Sequence, residues 1–248
     1  MVLFMNNQLN HLSVSCIETY KTCPKMFHYN YVMKAMGLPS KALDVGKFVH
    51  KGIELYNNKE DWEKILKKEI LNPMNNENVE IFRIVRRVVS AYERNPVEGK
   101  TIGNEIKCEM ELENSKGEKI PIPFLGFIDR VIEDGIVEYK TTGEDYKQDK
   151  IDTSLQATIY AYFFYKLYKK YPKDIIYWVA NKGKAMKEDD YLPQIMITCR
   201  SQKDVDEAFE EVKKVYEAIN AGNFEPKRGD QCYWCSYRNL CKTKNKLI

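Results

Sequence analysis

Apolar and polar residues alternate from Phe124 to Ile132 in the manner of a half-buried strand, and a second apolar-rich run extends from Ile136 to Thr141. Asp134-Gly135 between them is a pair favoured in two-residue hairpin turns. With that turn 133 faces 136, 131 faces 138 and 129 faces 140. Side chains alternate across a strand, so Asp129, Glu138 and Lys140 point to one side and Tyr139 to the other.

Ile102 to Leu112 alternates weakly and reads as a strand entering this hairpin, while Ile175–Ala180 and Gln194–Cys199 are apolar enough to extend a sheet. Helical spacing governs Val45 to Tyr56, Asp61 to Ile70, Asn78 to Arg94 and Leu155 to Tyr168. A capping box of Ser15 with Glu18 opens a short helix ending near Thr22, and Pro24 opens another over Lys25–Ala35. Ser201 with Asp204 starts a last long helix that stops at Gly222. Leu38-Pro39-Ser40 breaks the pattern, and the polar stretch from Thr141 to Ser154 reads as a loop. Helices and strands in this order give an α/β or α+β fold around a mixed sheet.

Composition bounds the picture without naming a function. The 248 residues, 44% apolar, suit one sizeable core, so a single domain over 1–248 is expected. The 39 basic and 36 acidic residues leave a formal charge of +3, too little for a global field that attracts nucleic acid, so any basic groove is local. Arg83, Arg86, Arg87 and Arg94 on one helix form either such a groove or, by default, a solvated face. Residues Met1 to Asn10 lack a leader pattern and no run of eighteen apolar residues follows, so a soluble intracellular protein with no membrane partner is expected.

Two carboxylates on one face repel unless a cation or proton lies between them, and Asp and Glu oxygens suit Mg or Mn. Lys140 beside them would face a water or a phosphate, although three such residues are also compatible with a plain solvated hairpin face. His50 sits one step off the apolar stripe of its helix, bracketed by Gly46 and Gly52, and is a candidate further ligand as well as a possible boundary histidine. Gln156 and Tyr160, four apart, share a helix face and need partners if buried.

Cys232, Cys235 and Cys241 have the spacing of metal ligands. Cys23, followed by Pro24, is the best fourth ligand, with Cys16 and Cys199 weaker candidates, His28 completing a possible Cys3His set, and Cys108 an inert buried thiol. Spacing alone leaves tetrahedral zinc and a cubane iron-sulfur cluster both open.

Taken together, Gly46-Lys-Phe-Val-His50, Gly126-Phe-Ile-Asp129, Glu138-Tyr-Lys140 and Gln156-Ala-Thr-Ile-Tyr160 resemble the motifs of the PD-(D/E)XK nucleases, in particular the RecB-like branch. With the cysteines the chain is similar to the iron-sulfur members of that branch, the CRISPR-associated adaptation nuclease (the fourth Cas protein) and AddB-type repair nucleases. Ile128 stands where the motif name places a proline.

The resemblance implies a restriction-endonuclease-like core, a mixed β-sheet flanked by helices, over 45–222. It implies that 1–35 and 223–248 are joined by a 4Fe-4S cluster on Cys23, Cys232, Cys235 and Cys241, which tips the zinc question toward iron. His50, Asp129, Glu138 and the Tyr139 carbonyl would bind Mg or Mn. Lys140 would position the attacking water, and Gln156 and Tyr160 would orient substrate and Lys140. The implied activity is a cytoplasmic deoxyribonuclease acting on single-stranded DNA or free ends, as a 5′ to 3′ exonuclease, in CRISPR adaptation, phage DNA metabolism or repair. An integrase-like or helicase partner would supply the ends. The alternative is a catalytically inactive DNA-end binding or adaptor protein; mutually repelling charges kept at Asp129, Glu138 and Lys140 speak against it.

Overall fold

The computed structural model describes residues 9–38 and 41–241. The start of the chain, Pro39-Ser40 of the expected break and the tail beyond Cys241 lie outside them. In chain order the first helices are α1 (Val14–Thr22) and α2 (Pro24–Phe27), which runs on as a π-helical turn over His28–Val32. Three longer helices follow, α3 (Lys41–Asn57), α4 (Trp62–Ile70) and α5 (Asn76–Arg94). Strands β1 (Thr101–Glu113), β2 (Lys119–Ile132) and β3 (Gly135–Thr142) lead to α6 (Gln148–Asp152) and α7 (Leu155–Tyr168). β4 (Asp174–Asn181), α8 (Lys182–Ala185), β5 (Gln194–Thr198), α9 (Gln202–Asn220) and α10 (Gln231–Trp234) complete the order. The five strands make one mixed sheet in sequence order, with β2–β3 and β4–β5 antiparallel and β3–β4 parallel. The expected α/β architecture, a mixed sheet with helices, is therefore present.

Two compact units divide the chain. The unit of residues 40–107 and 127–200 has a core in which α3, α4 and α5 meet the sheet. Buried Ile81, Val85, Val88, Val89 and Tyr92 recur at helical spacing on α5 and join Val45, Val49 and Ile53 of α3, Leu66 of α4, Tyr139 of β3 and Trp178 of β4. Gly52 is required by this packing: a Cβ there would stand 2.7 Å from Val89 Cγ2 and 3.0 Å from Leu66 Cδ1. Arg130 of β2 is buried against the same core and fully engaged. It donates to Val97 O at 2.8 Å, Gly99 O at 2.7 Å, Thr101 Oγ1 at 2.9 Å and Tyr92 Oη at 3.2 Å.

The other unit takes residues 1–39, 108–126 and 201–248. Here residues 20–30 are hydrogen-bonded to residues 223–240. Tyr20 Oη donates to Asn223 O at 2.6 Å, Tyr29 Oη to Leu240 O at 3.2 Å and Tyr237 Oη to Asn30 Oδ1 at 3.0 Å. Ser201 and Asp204 form the expected capping box of α9.

Three expectations are corrected. The two-residue turn is Glu133-Asp134, not Asp134-Gly135, because the register runs Ile132↔Gly135, Val131↔Ile136, Arg130↔Val137. Gly135 instead opens β3 beside Asp174, whose carbonyl oxygen a Cβ at 135 would approach to 2.5 Å. The cap of α1 is Ser13 rather than Ser15, since Leu12 is held extended by backbone bonds to Pro123 and Leu125, and Ser13 Oγ then accepts from Cys16 N at 3.2 Å. The stretch 141–154 is not all loop but carries α6.

Candidate active site

Moving the turn back by one position shifts the strand pairing by two residues, an even step that keeps Asp129, Glu138 and Lys140 on one face. Beyond Arg130↔Val137 the Asp129 carboxylate itself engages the next strand, Oδ2 accepting from Tyr139 N at 2.8 Å. Its Oδ1 lies 3.2 Å from His50 Nδ1, so α3 and the hairpin meet at this carboxylate. Asp129 is 7% exposed and Glu138 2%.

Glu138 Oε1 accepts from Lys140 Nζ at 2.7 Å and from Gln156 Nε2 at 2.8 Å, while Gln156 Oε1 accepts from Lys140 Nζ at 2.6 Å. The three side chains thus close a ring, placed by β3 and by the first turn of α7, whose N-cap Ser154 accepts from Ala157 N at 3.3 Å. Tyr160, one turn further, is buried and hydrogen-bonded to Gln156 and to the Phe127 backbone. Burial, then the neighbouring Asp129 charge, push the Glu138 carboxyl above its usual range. Burial alone would lower Lys140, but Glu138 outweighs it and holds the ammonium above its ordinary value, so Lys140 is a cation.

On the other side of Asp129, burial would push His50 down, yet the Asp129 charge and hydrogen bond carry it up to about 9. A residue that the sequence pattern did not reveal joins it there. Glu105 of β1, His50 and Asp129 each offer a donor atom within 4.8 Å of the others. Burial first, and Asp129 next, push Glu105 up to about 7. Glu105 also has φ +47°, the left-handed region, within an otherwise extended strand. No sequence periodicity marks such a residue; the adjoining Gly103-Asn104 pair is the only local hint of irregular backbone.

The donor set fits a hard divalent cation. Glu138 Oε2 is buried without a hydrogen-bond partner, the donors are carboxylate oxygens plus an imidazole, and three acids converge on one lysine and one histidine. A cavity of about 620 Å³ borders the group, lined by His50, Glu54, Glu105 and Lys140 among others. The Tyr139 side chain turns away from it into the core, its hydroxyl accepting from Asn57 Nδ2 at 3.1 Å and lying 3.2 Å from Tyr92 Oη.

Three of the four arginines of α5 are engaged with acidic residues or a backbone carbonyl. Arg86 pairs with Glu63 at 2.8 Å, Arg87 with Asp189 at 2.6 Å, and Arg94 donates to Asp189 O at 3.3 Å, as on a solvated face.

In the other unit Cys23, Cys232, Cys235 and Cys241 line one cavity of about 400 Å³. Burial, offset in part by a bond from the Tyr237 backbone, and the facing Cys23, Cys241 and Cys232 raise the Cys235 thiol. Cys16, raised to about 11 by burial, Cys108, also raised to about 11 by burial, exposed Cys199 and His28 do not line that cavity. His28 instead lies 4.8 Å from the Phe224 ring. Four-cysteine zinc sites and iron-sulfur clusters use donors of this kind and number.

Among the described residues no helix is long and apolar enough to cross a membrane. Comparison with known proteins adds three findings. The model of the PD-(D/E)XK nuclease superfamily matches residues 11–242. No curated protein matches. A solved structure titled "Crystal structure of SSO0001" aligns with 14% identity and a TM-score of 0.48, covering 96% of this chain and 88% of that one.

Proposed function

From the premise that this chain belongs to the PD-(D/E)XK nuclease superfamily, whose members are metal-dependent nucleases, we propose that it is a single-strand- and end-directed deoxyribonuclease of the RecB-like iron-sulfur branch. The observation that carries the catalytic reading is the ring of Glu138, Lys140 and Gln156 beside Asp129, with Glu138 Oε2 buried and unpartnered. In this reading Asp129, Glu138, His50 and the Tyr139 carbonyl hold Mg or Mn. The cation supplies Lewis-acid polarisation of the phosphodiester and acidifies a water.

The chain's own groups do the rest. Lys140, held cationic by Glu138, is a donor and not a proton acceptor, so it orients the attacking water and offsets charge developing on the phosphate. Gln156 fixes Lys140 by accepting one of its three hydrogens, leaving another to point at substrate. Tyr160 fixes Gln156 in turn. His50, which Asp129 holds protonated near neutral pH, would have to lose that proton to serve as a cation ligand.

The four cysteines around one cavity, with Cys23 more than two hundred positions before Cys232, support a 4Fe-4S cluster that pins residues 1–35 to 223–248, in a chain whose nuclease core is assigned to 45–222. Cytoplasmic work on DNA ends in CRISPR adaptation, phage metabolism or repair, with an integrase-like or helicase partner, completes the proposal. Linear single-stranded DNA labelled at either end, set against a circular single strand, tests it in the presence of Mn. Early release of the 5′ label and survival of the circle are expected; equally fast cutting of the circle would overturn the end-directed reading.

A further inference from the structure

We infer that Glu105 is a direct ligand of the divalent cation held at the Asp129–Glu138 centre, a carboxylate supplied by β1 in addition to those of the hairpin. This rests on the metal-dependent nuclease reading above.

Three observations converge on Glu105. Its carboxylate, the His50 ring and the Asp129 carboxylate present donor atoms within 4.8 Å of one another, close to the separation of roughly 3–4 Å between donors that share one hard cation. Its backbone occupies φ +47°, where glycine sits freely and a side chain is strained. Asp129 and Glu54 repel its carboxylate, and His50 attracts it. Without a cation the position combines partial burial, like-charge repulsion and backbone strain. A glycine would avoid all three, which points to the carboxylate itself as the reason for the arrangement.

A second observation, at the hairpin, points to a cation as the partner of this centre. Glu138 Oε2 is buried with no hydrogen-bond partner, in a residue that the Asp129 charge repels and His50 attracts. Asp129 touches both halves of the group, through Tyr139 N and through His50. A cation that satisfies Glu138 and Asp129 is thus within reach of the Glu105 side.

Manganese binding, followed by the paramagnetic resonance signal of the free ion, decides the matter on the full chain. Parent, Glu105→Gln, Glu105→Gly and Asp129→Asn are compared. Both Glu105 variants are expected to raise the Mn dissociation constant at least about tenfold. Glu105→Gly should melt no lower than parent in metal-free buffer, since glycine relieves the positive φ, so its loss of Mn cannot be laid to misfolding. Parent-like Mn affinity in both Glu105 variants, with Asp129→Asn impaired, overturns the inference alone. Failure of the parent itself to bind Mn overturns the metal-dependent reading and this inference with it.

Discussion

Lys140 donates to Glu138 at 2.7 Å through the same carboxylate oxygen that Gln156 uses, so one oxygen of Glu138 is saturated and the other stays buried without a partner. The pair therefore offsets the charge of Glu138 without exhausting its acceptors. Lys140 and a cation can both serve one carboxylate, each on its own oxygen.

Lys140→Met separates these roles. Cleavage should fall by roughly 10²–10³-fold, the usual cost of removing a fixed charge from a developing anion. Mn binding should persist or tighten, because a competing positive charge has gone. Both are measured on one preparation; a parallel loss of Mn binding would make Lys140 part of the cation site instead.

Arg130→Ala tests the core under the site. Four acceptors lose their donor, among them the Val97 and Gly99 carbonyls, and each unsatisfied buried group costs about 1–3 kcal/mol. A loss of about 3 kcal/mol or more in urea unfolding is expected. Arg130→Lys should recover only part of it, since one ammonium cannot span the positions that the planar fork reaches.

The metal-free protein should lose stability as pH rises. Glu105, about 7, and Glu138 are raised above their unfolded values, so the folded state binds more protons than the unfolded one above the ordinary carboxylate range. His50 has the same sign: its contribution is complete below an unfolded pKa of about 6.5 and is lost as pH passes about 9. Melting temperature without metal should thus decline from pH 5 to 9, and the increment given by saturating Mn should grow over the same interval. Calorimetry at several pH values checks this; an increment independent of pH would show that protons and cation do not compete.

Cys235→Ser addresses the other cavity. Anaerobically purified parent should be brown and contain roughly four irons per chain with matching acid-labile sulfide. The variant should lose colour and melt lower. The hydrogen bonds of Tyr20, Tyr29 and Tyr237 between the chain ends would remain, so unfolding should be eased without the protein becoming unfolded. A colourless parent with one tightly held zinc would replace the cluster by a zinc site.

The hairpin was legible in the sequence because facing depends only on parity. A two-residue turn placed one position late still puts Asp129, Glu138 and Lys140 on one side, although the opposing pairs change. Gln156 and Tyr160 were legible for the same kind of reason, one helical turn apart on α7. Glu105 was not, since a single left-handed residue in a strand leaves no periodic trace and its neighbours His50 and Asp129 arrive from distant segments. The α1 cap was misplaced because a tertiary contact, Leu12 against Phe124, decides where the helix begins. Gly52, which brackets His50 in the sequence, serves the core rather than the site: Val89 is what approaches it.

Whether Asp129 and Glu138 hold a cation that drives cleavage is decided by end-labelled single-stranded DNA incubated with parent, Asp129→Asn and Glu138→Gln, with Mn and then with excess chelator. The expected result is cleavage by the parent that stops with chelator, and at least about a hundredfold less from either variant. Equal cleavage by all three, or cleavage that ignores the chelator, would contradict that role of the cation.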